Sequence, residues 1–340
     1  MRQVYASRIV ARTLLGAVVA LVPACSGAGN AENVDTANEQ PGEELGLGDV
    51  EGASSAATSY KYATSCKPIP TLTKLKSPTI TVSLDGLTLH LKDTQGTYDK
   101  VFKVGVGAIE GGKSKTPVSS SASSGTFFTS SSSSAVKDGA WGYWYPCRIW
   151  WTDPDNGERS PVFAGLPFIR LTGAPTTGYA IHGPIDNYDT VNGGALRRGY
   201  VSHGCIRMEA ADIVEVYALI QGIKASVKIQ QDVERLADGT AVDVATKWIG
   251  AECKRDADCN YASGKCYLPP DGTTGSCTQT CTSSCPDTPG EATTFCSSAG
   301  RCVLQASTTF NDSCKRYRGR LDYASTTRPD KSKTATVCQP

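Results

Sequence analysis

Ten of the chain's fourteen cysteines fall between Cys253 and Cys338, and this crowding is the strongest constraint on what the chain can fold into. Cysteines at such density persist either as disulfides in an oxidising compartment or as metal ligands. Cys277, Cys281 and Cys285, spaced by three residues each, offer zinc-like spacing, but no histidine follows His203. The segment also has little apolar content, so staples rather than a core must hold it. A small module, 253–340, closed by five disulfides is the better reading; spacing alone does not give the connectivity. The whole chain, 340 residues, is long enough for about two domains. Lys plus Arg number 34 against 33 for Asp plus Glu, a net charge of +1. That balance leaves no electrostatic footprint for nucleic acid and no polybasic membrane patch.

The N-terminus agrees with an oxidising destination. Arg2, Arg8 and Arg12 precede an apolar run from Leu14 to Leu21, followed by Val22-Pro23-Ala24-Cys25. This reads as a secretory signal over 1–24, and the run is shorter than the roughly 20 apolar residues of a membrane span. Small residues before a cysteine resemble a bacterial lipoprotein box, which makes Cys25 a lipidation candidate; ordinary signal cleavage is the alternative. Export to the periplasm or cell envelope is expected, with a lipid anchor on Cys25. Residues 25–78 are mostly rich in Ala, Gly, Asn, Glu and Ser and read as a flexible tether.

Regular structure is expected from Thr79. Ile80, Val82 and Leu84 alternate with polar residues, Asp85-Gly86 intervenes, and Leu87, Leu89 and Leu91 alternate in turn. Two period-2 runs split by Asp-Gly predict a hairpin, with His90 on its solvent side. Val101–Val106, Val162–Leu171, Gly178–His182 and Ala225–Ile229 predict further strands, the last a closing one. Ser119–Ser134 reads as an exposed loop around one short strand at Gly125-Thr126-Phe127-Phe128. Ile213, Val216, Tyr217 and Ile220 recur at helical spacing, and Gly222 stops them. The fold class is therefore mainly β, with one helix after residue 208. A linker is expected over 232–252.

The chemistry concentrates in Ser202-His203-Gly204-Cys205-Ile206-Arg207, with His182-Gly183 upstream. A thiol acyltransferase needs a thiolate, a base, a group that orients the base and donors for an oxyanion. Cys205 is the nucleophile candidate, and His182 at a strand end is the base. The Gly183 carbonyl can hold the second imidazole nitrogen, and the Gly204 and Cys205 amides are the natural oxyanion donors. Setting aside Cys25 and Cys205 leaves twelve cysteines, which fits six bridges and one free thiol, Cys205. A bridge between Cys66 and Cys147 would pin the tether to the domain. Trp141, Tyr143, Trp144, Tyr145, Trp150 and Trp151 form an aromatic cluster that suits core packing better than sugar stacking.

This order of His-Gly, spacer and Ser-His-Gly-Cys-Ile-Arg resembles the L,D-transpeptidase (YkuD-type) catalytic domain. The opening hairpin, Gly105-Val106-Gly107, Lys115-Thr116-Pro117, Ser124-Gly125-Thr126-Phe127, Phe168-Ile169-Arg170-Leu171 and Gly178-Tyr179-Ala180-Ile181-His182-Gly183 look like family landmarks. The resemblance covers 79–231, with a somewhat long spacer between His182 and Ser202 and a Ser-rich insertion after Pro117. It implies a β-sandwich or barrel-like catalytic domain with a helix after the cysteine motif. It also implies Cys205 as nucleophile, His182 as base, Gly183 as its orienter and His203 as a neighbour that tunes the thiol or merely bonds locally. Arg207 would line the donor site, with a plain ion pair as the alternative, and Ser202 would support the local hydrogen bonds. The implied reaction attacks the third residue of a peptidoglycan tetrapeptide stem, releases D-Ala, and passes the thioester to an amine. No metal or organic cofactor is needed.

Three other readings stand beside this one. A papain- or NlpC-type peptidase places its cysteine before its histidine, the reverse of the order here. An L,D-carboxypeptidase would use water as acceptor. A non-catalytic wall-binding protein would use the Cys-rich module to hold a cell-wall or outer-membrane partner.

Overall fold

The computed structural model describes residues 67–122, 125–130, 144–145, 149–152, 159–162, 166–173, 178–184, 195–270, 272, 274–306, 314 and 322–339. The signal segment, Cys25, most of the tether, the Cys66–Cys147 pairing and the packing of the aromatic cluster lie outside the described residues.

Eight strands form one mixed sheet. In chain order residues 78–230 contain β1 (Pro78–Ser83), β2 (Thr88–Asp93), β3 (Asp99–Lys103), β4 (Val106–Gly107), β5 (Phe127–Thr129), β6 (Phe168–Thr172), β7 (Ala180–His182), β8 (Tyr200–Ser202), β9 (Ile206–Arg207), α1 (Ala210–Ile220) and β10 (Ser226–Gln230). The sheet order is β9-β7-β6-β5-β10-β1-β2-β3, while β4 pairs in parallel with β8. The expected closing strand β10 is in fact central, parallel to β1 and antiparallel to β5. The expected Val101–Val106 strand breaks after Lys103. The chain there leaves β2, and Gly105 exchanges backbone hydrogen bonds with Arg207 at 2.8 and 2.9 Å. A Cβ at Gly105 would lie 2.6 Å from the Arg197 carbonyl oxygen, so glycine permits this close approach.

The β1–β2 hairpin forms as expected, but its connection is longer than an Asp-Gly turn. Ser83 pairs with Thr88, which leaves four residues, Leu84–Leu87, in the loop. Leu84 and Leu87 are both buried, and Leu87 takes a left-handed backbone (φ 49°) to turn inward. Burial of two leucines outweighs the local turn preference, since each is worth about 1.5–3 kcal/mol. Helix α1 presents Ile213, Val216, Tyr217 and Ile220 to the core, as the periodicity predicts. Its C-terminal carbonyls are satisfied from the preceding segment: Leu75 N–H donates to Leu219 O at 3.1 Å and Lys74 Nζ donates to Gln221 O. In the Ser-rich stretch Ser120 and Ser121 are exposed as expected, while Ser119 is not. Its Oγ accepts from Ile229 N–H at 2.7 Å.

His90 corrects the sequence reading most clearly. It is only 3% exposed, and the segment after β10 bonds to the hairpin here: Asp232 O accepts from Ser83 Oγ at 2.9 Å and Glu234 reaches His90. Its Nδ1 meets Glu234 Oε1 at 3.0 Å and its Nε2 meets Asp99 Oδ1 at 2.6 Å. Burial opposes the imidazolium, but the hydrogen bonds to Glu234 and Asp99 outweigh it and raise the pKa above 6.5. The stability this group contributes is therefore fully present below pH 6.5 and is lost as pH rises through the raised value. Glu234→Gln is expected to lower stability below pH 6.5 by about 2 kcal/mol, or roughly 4–8 °C in Tm. It should also flatten the decline above that pH; an unchanged Tm–pH curve would refute the assignment.

Among the described residues the C-terminal module holds seven strands: β11 (Glu252–Cys253), β12 (Lys265–Tyr267), β13 (Gly275–Thr278), β14 (Thr294–Cys296), β15 (Cys302–Gln305), β16 (Asp322–Thr327) and β17 (Thr334–Gln339). They form a three-stranded sheet, β11-β13-β12, and a four-stranded sheet, β14-β15-β17-β16. The five expected disulfides are present: Cys253–Cys266, Cys259–Cys277, Cys281–Cys296, Cys285–Cys302 and Cys314–Cys338. The first four show a repeat not visible in the spacing. Each run of four cysteines joins its first to its third and its second to its fourth. Among the described residues no helix is long and apolar enough to cross a membrane.

Candidate active site

The parallel pairing of β7 and β9 assembles the motif. Ile181 lies opposite Ile206 and His182 opposite Arg207, and Cys205 directly precedes β9. The register thus brings Cys205, one residue before β9, into the neighbourhood of the end of β7.

His182 ends β7, 1% exposed, with the Phe168 ring stacked near it at 5.9 Å between centroids. Its Nδ1 is 2.7 Å from the Gly183 carbonyl oxygen. A carbonyl only accepts, so Nδ1 carries the proton and Nε2 keeps its lone pair. Burial first, and then the charge of Arg207, lower its pKa to about 3, while the Gly183 carbonyl acts weakly the other way. The ring is thus neutral across the physiological range, with its unprotonated nitrogen at Nε2. Because the folded pKa lies below 6.5, this histidine stabilises the fold above pH 6.5, and that stability is lost as pH falls toward 3. The full effect is on the order of 5 kcal/mol. Acid titration followed by circular dichroism should show His182→Gln removing this slope between pH 6.5 and 3; a slope that persists would overturn the assignment.

Gly183 and Gly204 are held by their neighbours. A Cβ on Gly183 would come within 2.2 Å of the fully buried Leu166 side chain. Gly204 has φ +131°, and a Cβ there would lie 2.7 Å from the Tyr179 ring. Its carbonyl accepts from the buried Thr116 hydroxyl at 2.8 Å, and that hydroxyl accepts from Gly107 N–H at 2.7 Å. Thr116 is therefore the support behind the cysteine turn. The sequence marked it only as a landmark and gave it no role.

Ser202 shapes the turn from within. Its hydroxyl donates to the Cys205 carbonyl at 2.6 Å and accepts from Gly204 N–H at 3.0 Å. This corrects the reading of Gly204 as an oxyanion donor, since its amide curls back onto Ser202. His203 is exposed and Arg207 is buried.

Cys205 brings the second correction. It is 4% exposed and disulfide-bonded rather than a free thiol, with its partner outside the described residues. The ten tail cysteines pair among themselves, so parity by itself could not single out a free Cys205. Its Sγ lies 3.6 Å from the Gly178 carbonyl oxygen, a group that a reduced S–H can donate to. The remaining cysteine clusters, Cys253/Cys259/Cys277 and Cys281/Cys285/Cys296, have every sulfur committed to a disulfide and offer no thiolate to a metal.

Residues 77–244 match the family model of the YkuD L,D-transpeptidase catalytic domain, just under half the chain. No curated protein matches the chain. Among solved structures, similarity is found to an L,D-transpeptidase from Xylanimonas cellulosilytica, 16% identical over 47% of this chain and 64% of that one, TM-score 0.24. An L,D-transpeptidase (Yku) from Stackebrandtia nassauensis is 13% identical over 47% and 58%, TM-score 0.25. Bdellovibrio bacteriovorus Bd1075 is 13% identical over 50% and 55%, TM-score 0.25. The chain thus spans less than two thirds of each of these. Residues 77–244 thus carry this chain's likeness to the YkuD L,D-transpeptidase catalytic domain.

Proposed function

We propose that the protein is an exported peptidoglycan L,D-transpeptidase whose nucleophile, Cys205, works once its disulfide is opened. The observation that carries this reading is the tautomer of His182, which keeps a neutral Nε2 on the strand beside the cysteine motif. The reduced thiol passes its proton to Nε2, and the thiolate attacks the carbonyl of the third stem residue of a tetrapeptide. Collapse of the tetrahedral intermediate breaks the bond to D-Ala, whose amine takes the proton back from the imidazolium. The thioester is then opened by an acceptor amine, giving a 3→3 cross-link or protein anchoring. An L,D-carboxypeptidase differs only in using water. Five disulfides in the C-terminal module support export to an oxidising compartment, in which Cys25 serves as the lipid anchor.

The test is intact-protein mass spectrometry of the mildly reduced protein with a disaccharide-tetrapeptide muropeptide. The expected result is a thioester on Cys205, free D-Ala and a cross-linked dimer. Tripeptide as the only product makes the enzyme a carboxypeptidase. No adduct and no D-Ala from a folded protein with reduced Cys205 leaves the wall-binding reading.

A further inference from the structure

We infer that the Cys-rich module is a clamp on the strand that delivers the nucleophile, acting through a buried charge cluster centred on Arg198. The inference deepens the acyl-transfer reading and rests on it for its catalytic consequence.

Arg198 lies two residues before β8, and its side chain is 1% exposed. Its guanidinium donates to Glu291 Oε1 of the module at 3.3 Å and to Asp243 Oδ1 at 2.8 Å. It also donates to the Leu87 and Gly86 carbonyls of the β1–β2 loop at 3.2 and 3.3 Å. Glu291 is itself buried and takes a second cation, Lys103 Nζ, at 2.9 Å. Two positive groups from the catalytic half therefore meet two carboxylates, one from the module and one from the segment that leads to it.

The backbone repeats the contact. Arg198 N–H donates to Gly290 O at 2.8 Å. Gly290 has φ +80°, and a Cβ on it would lie 2.5 Å from the Leu196 carbonyl oxygen, so only glycine lets the two segments approach this closely. Gly290 and Glu291 sit between Cys285 and Cys296, within the second interleaved disulfide pair.

What the clamp holds is the route to Cys205. Gly199 O accepts from Val106 N–H at 2.8 Å, and Ser202 O accepts from Ala108 N–H at 2.7 Å. Tyr200 is buried and donates its hydroxyl to Asp85 at 2.5 Å. Strand β8 is only three residues long and pairs with the two residues of β4, a short ladder for a segment that must fix a reacting sulfur. Arg198 and Glu291 supply the anchorage that the ladder lacks and are positioning residues.

The test uses the full chain with Glu291→Gln and Gly290→Ala, each compared with wild type by amide hydrogen exchange and by D-Ala release after mild reduction. Exchange over Gly199–Cys205 should quicken about tenfold or more while α1 is unchanged. The turnover number should fall about ten- to a hundredfold with KM within twofold, because a misplaced nucleophile slows chemistry more than binding. Wild-type exchange over Gly199–Cys205 and wild-type turnover in both folded variants would overturn the clamp. Uniform loss of protection across α1 as well would also overturn it, as the signature of general destabilisation. If Gly199–Cys205 loosens selectively but the wild type releases no D-Ala, the clamp stands and the acyl-transfer reading fails.

Discussion

Cys205→Ala protein is expected to release no D-Ala above background, a loss on the order of 10⁴–10⁶ in turnover, as for removal of the nucleophile from other covalent acyl-transfer sites. The size follows from the division of labour at the site. His182 can only move a proton and Arg207 can only place charge, so neither can form the covalent acyl intermediate. The substitution also removes a disulfide, which is worth about 2–4 kcal/mol. The fair comparison is therefore reduced wild type, matched by circular dichroism and Tm. Turnover retained by folded Cys205→Ala protein would exclude the thioester route.

The second large effect is a requirement for reductant. A disulfide sulfur is not a nucleophile, so oxidised protein should resist both iodoacetamide and a penem at Cys205. Mild treatment with a dithiol should raise either reaction on the order of 10²–10³-fold, limited by the fraction already reduced. The exchange balances: the dithiol gives up two protons and two electrons and becomes a disulfide, while Cys205 and its partner become thiols. The module provides the internal control. Cys253, Cys259, Cys277, Cys296, Cys302, Cys314 and Cys338 are buried. Early alkylation should therefore appear at Cys205 and its partner before any of the ten module cysteines. Full penem acylation with no reductant would show that Cys205 is free in solution.

What could be read from the sequence tracks the range of the forces involved. Alternation at Ile80–Leu91 and the helical spacing at Ile213–Ile220 are local signals, and both elements formed where expected. His90 looked solvent-facing because alternation reports one face of a sheet; only the fold brings Glu234 across from 144 residues away. The His-Gly and Ser-His-Gly-Cys-Ile-Arg segments drew attention to the site, but not to its supports. Thr116 and Arg198 act through single contacts to distant backbone, and no spacing rule encodes such contacts. Counting cysteines gave the module's bridges correctly because those ten are close in sequence. The same arithmetic failed for Cys205, since an even remainder is equally consistent with a bridge there.

The central place of β10 has a consequence for how the chain acquires its structure. Ser226–Gln230 is inserted between β5 and β1, and its partner residues Thr79–Ser83 emerge some 147 residues earlier. Until β10 arrives, the β1–β2–β3 meander has an unpaired inner edge lined by buried-type residues such as Ile80 and Val82. Pairing across so long an interval makes closure slow relative to local hairpin formation, because the loop entropy must be met before any contact rewards it. A newly made chain would pass through a period in which that edge can pair with another copy. Truncation anywhere before Gln230 would make this interval permanent, so the shortest segment able to fold as a catalytic domain must extend past β10.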